Sequence, residues 1–308
     1  MKLLVNLGAL LFSSFIYAAP LHNIVVFGDS LSDNGNLYEF MKHQLPQSPP
    51  YYQGRFSNGP VWVEHLSASY FSNSTDAHLL DYAVGGSGVS EEEEEDDVLF
   101  TLKKQISTYL LSHQDKANAD DLYIVWIGAN NYLALPEDAE KTVAYVNAGI
   151  THSIDLLVEK GAQHIMLINL PDLGKTPAAV EFDAADDMGY LSARHNEELY
   201  KTFNALKQKN PNLEWFYFDL ASMFSDVVVH PENYGFTNVT NTCSNSIVDE
   251  GSKKSLLKMV ANVTPKMDKD ACEGYLFFDL VHPTGFAHSL ISEKVRIMLD
   301  EAGVVFSD

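Results

Sequence analysis

The residues from Ile24 to Asn36 read IVVFGDSLSDNGN, an apolar run that breaks at a glycine and continues as a polar segment. The run Ile24–Phe27 is short and rich in β-branched side chains, which predicts a buried strand. Ser30 then stands at the carboxyl end of this strand, where a turn or helix start leaves backbone N–H groups free. A strand that is apolar on both faces is typical of a parallel sheet enclosed by helices.

The same kind of apolar run recurs along the chain. The further runs are Leu79–Val84, Leu122–Ile127, His164–Leu170 and Trp215–Phe218. Longer stretches with helical spacing lie between them. This alternation predicts an α/β fold with a parallel sheet covered on both faces, and sites in such sheets lie outside the carboxyl ends of the strands.

Two helices are predicted in detail. The first has apolar residues at helical spacing and a following glycine suited to a left-handed cap, at Val143, Val146, Ile150, Ile154, Leu157 and Gly161. The second is expected to begin at Pro283, which suits a first turn, and to bury Phe286, Leu290 and Val295.

Composition limits the classes of function. The chain has 308 residues, with 42 acidic and 20 basic side chains and a formal net charge of −22. This balance excludes nucleic-acid binding, because phosphate contacts require clustered Lys and Arg, and it argues against adhesion to an anionic bilayer. The length allows one large domain or two small ones, and no Pro/Ser/Gly-rich linker divides the chain.

The first residues have the pattern of a secretory signal peptide. Lys2 gives the positive start, and an apolar stretch and the small residues Ala18 and Ala19 follow. The stretch is shorter than the roughly 20 residues that span a bilayer, so we expect cleavage and no stable membrane anchor. We predict a Sec-type signal peptide over residues 1–19, a secreted or periplasmic location, and one monomeric domain over residues 20–308.

The chain has two cysteines, Cys243 and Cys272. In an exported protein, a single pair of cysteines most simply forms a disulfide, and two buried free thiols are the alternative. The pair lies in an irregular insertion around residues 231–274, and five lysines lie between the cysteines: Lys253, Lys254, Lys258, Lys266 and Lys269. Such a loop is a lid, a site of cleavage by an activating protease, or a structural staple.

Two segments after the second and third runs contain residues suited to stabilising an oxyanion. The glycine-rich turn Tyr82–Gly88 lets backbone approach a ligand closely. The segment Trp126–Asn131 brings Asn130, whose amide can donate to a developing negative charge. Taken alone, either segment is more typical of an ordinary turn.

A carboxylate and a histidine follow the last apolar run. Asp279 precedes His282 by three residues, and this D-x-x-H pattern occurs once among the 11 histidines. A carboxylate so placed can orient the imidazole and stabilise its cation. A metal site is disfavoured, because the chain lacks H-E-x-x-H and any histidine pair at ligand spacing.

With the Gly-Asp-Ser that ends at Ser30, these segments resemble the GDSL or SGNH hydrolases. The likeness extends from Ile24 to the last helix and includes the more specific segments GRFSNGPVW, Gly54–Trp62, and LPDLG, Leu170–Gly174. It implies a three-layer α/β/α sandwich with a mostly parallel, flavodoxin-like five-stranded sheet.

The resemblance also implies roles for five residues. Ser30 matches the nucleophile, His282 the general base, and Asp279 the residue that orients it. The Ser30 and Gly86 amides and the Asn130 side chain match the oxyanion donors. No metal or cofactor is implied.

Two positions depart from the family pattern. Asn131 stands where the family commonly has Asp, and Asp81 stands where it commonly has Asn. The donor glycine is either Gly85 or Gly86.

Within the family, the chain is most similar to secreted bacterial lysophospholipase A and glycerophospholipid:cholesterol acyltransferases. This implies a secreted serine esterase that releases fatty acid from lysophospholipids or transfers the acyl group to a sterol. A polysaccharide or aryl esterase is the alternative within the family. A catalytically inactive binding protein of the cell envelope is a third alternative. It is disfavoured because all five mechanistic positions carry the residues expected for catalysis.

Overall fold

The computed structural model describes residues 19–72, 74–90, 100–246, 265–266 and 272–307. Apart from Ala19, the predicted signal peptide lies outside these residues. So do Lys253, Lys254, Lys258 and Lys269 of the lysine-rich loop.

The strands alternate with helices along most of the chain. The strands are β1 (Asn23–Gly28), β2 (Leu79–Asp81), β3 (Asp121–Trp126), β4 (His164–Ile168), β5 (Glu214–Phe218), β6 (Asn238–Thr242), β7 (Asn245–Ser246), β8 (Pro265–Lys266) and β9 (Tyr275–Phe277). The helices are α1 (Asn36–Phe40), α2 (Trp62–Tyr70), α3 (Thr75–His78), α4 (Leu102–Ser112), α5 (Ala129–Leu133), α6 (Ala139–Lys160), α7 (Pro177–Glu181), α8 (Ala185–Lys209), α9 (Leu220–Val229) and α10 (Gly285–Glu301). Short 3-10 helices cover Leu173–Lys175 and Pro231–Tyr234.

The central sheet has five parallel strands in the order β2-β1-β3-β4-β5. This is the flavodoxin-like order, and it confirms both the predicted fold class and the five predicted strands. The chain leaves β1 toward one edge of the sheet and returns to β3 on its other side. The carboxyl end of β1, which leads to Ser30, is therefore a topological switch point, where sites in open α/β sheets form.

Helices cover both faces of the sheet. The connections that run from β2 toward β5 contain α4, α6 and α8, and right-handed crossovers place these helices on one face. The opposite connection, from β1 to β2, contains α2, which packs against α10 on the other face. Strands β1, β3 and β4 are almost entirely buried between these layers, whereas the edge strand β2 is half-buried. No helix in the described ranges is both long and apolar enough to cross a membrane.

The prediction for α6 is confirmed, but that for α10 needs correction. Helix α10 begins at Gly285 because the Thr284 side chain caps it, accepting a hydrogen bond from the Ala287 N–H. Pro283 thus precedes the cap. Val295 is fully buried as predicted, but Phe286 is 52% exposed and lies against Phe236 outside the main core.

A small satellite structure precedes α10. Strand β6 pairs with β9, and β7 pairs with β8. Cys243 and Cys272 form the predicted disulfide, with a Cα–Cα distance of 4.9 Å. With α9 and α10, this region forms an apolar cluster separate from the main core, called the satellite cluster: Val227, Phe236, Leu276, Phe277 and Ala287.

Candidate active site

The structure brings together the three residues that the sequence assigned to one site. The Ser30 hydroxyl lies 2.8 Å from Nε2 of His282, and Nδ1 of His282 lies 2.7 Å from Oδ2 of Asp279. All three side chains are buried. The geometry is that of a nucleophile, a base and an orienting carboxylate joined by hydrogen bonds.

Strand β1 and the turn after it place Ser30. Gly28 ends the strand so close to β3 that a Cβ atom there would lie 2.7 Å from the Trp126 carbonyl oxygen. The Asp29 carboxylate accepts the Leu31 N–H, and the Asp29 carbonyl accepts the Ser32 N–H. These bonds close a tight turn, which presents Ser30 just beyond the carboxyl end of β1.

The Asp279 carboxylate is held by donors on both of its oxygens. Oδ1 accepts the N–H groups of Val281 and His282 at 2.9 and 2.7 Å. Oδ2 accepts His282 Nδ1 and the hydroxyl of Tyr51, each at 2.7 Å. Burial opposes ionisation of Asp279, but the nearby His282 and these hydrogen bonds outweigh it and hold the pKa of Asp279 below its ordinary value.

Gly86 and Asn130 line the same cavity as Ser30. Asn130 Nδ2 donates one hydrogen bond to the Ser87 carbonyl at 2.8 Å, which leaves its second N–H available. The Gly86 N–H makes no hydrogen bond with any residue that the structure describes. Gly86 has φ +79° with open space around the position of a Cβ, so the backbone borders the cavity without a side chain.

Gly85 has a different environment. Its N–H donates to Oδ2 of Asp33 at 2.7 Å, and a Cβ atom there would lie 2.3 Å from the Phe56 ring. This N–H is therefore already engaged, whereas Gly86 lines the cavity.

Asp33 ties the serine segment to the glycine-rich turn. Besides Gly85, its carboxylate accepts the N–H groups of Gly35, Asn36 and Leu37. Burial nevertheless raises the pKa of Asp33 above its ordinary value. This residue is not predicted from the sequence. Its local bonds follow the usual Asx-turn pattern, but the bond to Gly85 spans 52 residues and has no local signal.

The two departures from the family pattern both support the glycine-rich turn. The Asn131 amide accepts the Val89 N–H at 2.9 Å and donates to the Val89 carbonyl at 2.8 Å, a pairing that a carboxylate lacks the donor to make. Asp81 accepts the N–H groups of Asn34 and Ala83.

The segment GRFSNG contacts His282 and the residues that follow it. The Phe56 ring lies 5.1 Å from the imidazole of His282. The Ser57 hydroxyl donates to the Pro283 carbonyl at 2.9 Å, and the Gly285 N–H donates to Asn58 Oδ1 at 2.8 Å. The motif thus binds the residues on the C-terminal side of His282.

A cavity of about 180 Å³ begins at Ser30 and continues between α9 and α10. Its walls beyond the polar end are apolar and come from several elements: Leu133, Leu173, Met223, Phe224, Val227, Phe236, Leu276, Phe277, Ala287, Leu290 and Ile291. The satellite cluster thus supplies the far wall. Within the described residues, no group of three or more His, Cys, Asp or Glu side chains could hold a metal ion.

Comparisons with known proteins show the family of the chain. Residues 24–295 match the family model for GDSL-like lipase/acylhydrolase proteins. A phosphatidylcholine-sterol acyltransferase of Aeromonas hydrophila is 32% identical, with 90% of each chain covered. The secreted effector protein SseJ of Salmonella typhimurium is 30% identical, and the match covers 86% of this chain and 60% of that protein.

Solved structures match the chain at low sequence identity and with TM-scores below 0.5. An acetyl-xylooligosaccharide esterase from Geobacillus is 14% identical, with a TM-score of 0.49 over 95% of this chain and 100% of that one. An extracellular lipase from Streptomyces rimosus is 12% identical, with a TM-score of 0.44 over 91% of this chain and 99% of that one. On the match of the family model over most of its length, the chain belongs to the GDSL-like lipase/acylhydrolase family.

Proposed function

We propose that this acylhydrolase cleaves fatty-acyl esters of lysophospholipids with Ser30 as the nucleophile. The observation that carries the proposal is the apolar cavity, which starts at the Ser30 hydroxyl and is bordered by satellite residues such as Phe236 and Leu276. An acetyl group needs no such space. A long acyl chain in this cavity would place its ester carbonyl at Ser30 and leave the polar head group outside.

The proposed reaction has two steps. His282 takes the proton of Ser30 through Nε2 as the hydroxyl attacks the ester carbonyl. The tetrahedral intermediate then expels the deacylated glycerophosphodiester, whose glycerol oxygen takes up that proton. Water, activated by the same imidazole, then releases the fatty acid. Asp279 keeps Nδ1 protonated and stabilises the imidazolium in both steps.

The oxyanion of the intermediate is held by three donors in this proposal. They are the N–H groups of Ser30 and Gly86 and the free N–H of the Asn130 amide. The engagement of the Gly85 N–H by Asp33 favours Gly86 over Gly85 as the donor. Such donors act mainly in the transition state, where charge has developed.

The acceptor of the acyl group and the cellular location form part of the same proposal. Similarity to a phosphatidylcholine-sterol acyltransferase supports transfer to a sterol hydroxyl as a second outcome, in which the hydroxyl replaces water. The disulfide supports export from the cytoplasm. The apolar lining favours a lipid over an acetylated polysaccharide as substrate.

A substrate panel tests this function. We expect release of fatty acid from lysophosphatidylcholine at least about tenfold faster than release of acetate from acetylated xylan, because the apolar chain contributes binding energy. Ser30→Ala should lose activity by a factor on the order of 10⁵, since a triad acts as a unit. Ser289→Ala, on an exposed turn of α10, is the matched control. Faster acetate release, or an active Ser30→Ala protein, would contradict the proposal.

A further inference from the structure

Tyr51 is joined to the triad by a hydrogen bond that spans 228 residues of sequence. Its hydroxyl donates to Oδ2 of Asp279 at 2.7 Å, and Tyr51 is only 3% exposed. The same oxygen accepts Nδ1 of His282. A single carboxylate oxygen therefore carries both the bond that orients the imidazole and the bond from the phenol.

The position of the phenol is fixed by packing. The Tyr51 ring lies edge-on between Phe278, at 5.1 Å, and Phe56, at 5.9 Å, and Phe56 itself lies against the imidazole. The Ser48 hydroxyl donates to the Tyr51 carbonyl at 2.7 Å. The disulfide of Cys243 belongs to the same apolar cluster as Tyr51, Phe56 and Phe278. The hydroxyl thus has little freedom to move away from Asp279.

We propose that Tyr51 is a positioning residue that acts through Asp279, fixing the rotation of the carboxylate and sharing its negative charge. With the phenol in place, Oδ2 divides its charge between two donors, so Asp279 holds the protonated imidazole of His282 less strongly than it otherwise would. The proton is then more easily passed on to the leaving group. This inference rests on the proposed function of the triad.

The phenol remains a donor across the working pH range. Burial and the neighbouring Asp279 raise the pKa of Tyr51 well above its ordinary value, so the hydroxyl stays protonated. Asp29 and His288 also interact electrostatically with His282, and neither is hydrogen-bonded to Tyr51. A change confined to the phenol leaves both in place.

The test is the pH profile of kcat/KM for Tyr51→Phe on a p-nitrophenyl ester, which requires no knowledge of the natural lipid. Loss of one hydrogen bond to a buried charge should lower kcat/KM about tenfold. Because the carboxylate then holds the imidazolium more strongly, the acid limb should move to higher pH by about half a unit to one unit. Tyr109→Phe, which removes the buried hydroxyl bonded to Tyr123, is the matched control and should keep the wild-type profile.

A second comparison separates positioning from general stability. In an Asp279→Asn background, Tyr51→Phe should lower the rate by less than about twofold, because the charge on which the phenol acts is absent. An unmoved acid limb, or a full tenfold loss in the Asp279→Asn background, would overturn the inference. Wild-type protein that fails to hydrolyse the ester would instead contradict the proposed function, so the two failures are distinguishable.

Discussion

Gln105 and Gly28 form a closed pair of hydrogen bonds at the end of β1. Gln105 Nε2 donates to the Gly28 carbonyl at 2.8 Å, and the Gly28 N–H donates to Gln105 Oε1 at 2.9 Å. All four atoms are buried. Helix α4 thus completes the backbone hydrogen bonding of the strand that presents Ser30, two residues beyond Gly28.

Replacing Gln105 with leucine should destabilise the fold. Because the Gly28 carbonyl also accepts the Val84 N–H at 3.3 Å, the change leaves only the Gly28 N–H buried without a partner, at a cost of about 1–3 kcal/mol. We expect a lower free energy of unfolding by about 1–3 kcal/mol in urea titration. Gln208→Leu, on the exposed face of α8, controls for the added apolar side chain. Equal unfolding midpoints for the two variants would show that the bonded pair adds no stability.

Replacing Asn130 with alanine should affect the chemical step more than binding. The substitution removes one proposed donor to the oxyanion, which costs about 10²–10³ in kcat. KM should change little, because the ground-state carbonyl gains less from this donor than the transition state does. Steady-state kinetics on one ester measure both constants. Asn204→Ala, on α8, is the control, and a change in KM alone would assign Asn130 to substrate binding.

Asp29 should make stability depend on pH. Burial raises its pKa from 3.8 to about 6, so the folded chain binds more protons than the unfolded chain within that interval. Stability from this group is present below about pH 4 and is lost as pH rises through about 6, a difference of about 3 kcal/mol. Asp29→Asn should remove this loss in urea titrations between pH 4 and 7. The exposed Asp120→Asn serves as control. Parallel wild-type and Asp29→Asn curves would contradict the assignment.

Enlarging Ala287 should shorten the acyl chains that the enzyme accepts. Ala287 is 3% exposed and lines the cavity where α10 meets the satellite cluster. A phenylalanine there occupies space proposed for the distal part of the chain. We expect Ala287→Phe to lower kcat/KM for a palmitoyl ester about 10–100-fold and for a butyryl ester less than about threefold. A series of p-nitrophenyl esters measures this.

Ala302→Phe, at the exposed end of α10, controls for the aromatic substitution, and thermal unfolding confirms that both variants fold. An equal loss on both ester lengths would place the acyl chain elsewhere.

The sequence predicted the residues that carry their own local signal. Ser30 and His282 lie in short motifs directly after apolar runs. The motif and the predicted position at the end of a strand therefore indicate the same site. Tyr51 and Gln105 were missed because each is one common residue whose partner is distant in sequence. The predicted start of α10 at Pro283 is wrong because the Thr284 side chain caps the helix two residues before Phe286, which lies exposed in the first turn.

The bonds from GRFSNG to the start of α10 have a consequence for synthesis. Ser30 and His282 are 252 residues apart, and Ser57 and Asn58 hold the histidine segment through Pro283 and Gly285. A growing chain on the ribosome has its nucleophile from an early stage but has no imidazole to activate it. The proposed lipid cleavage therefore begins only after translation has passed the beginning of α10.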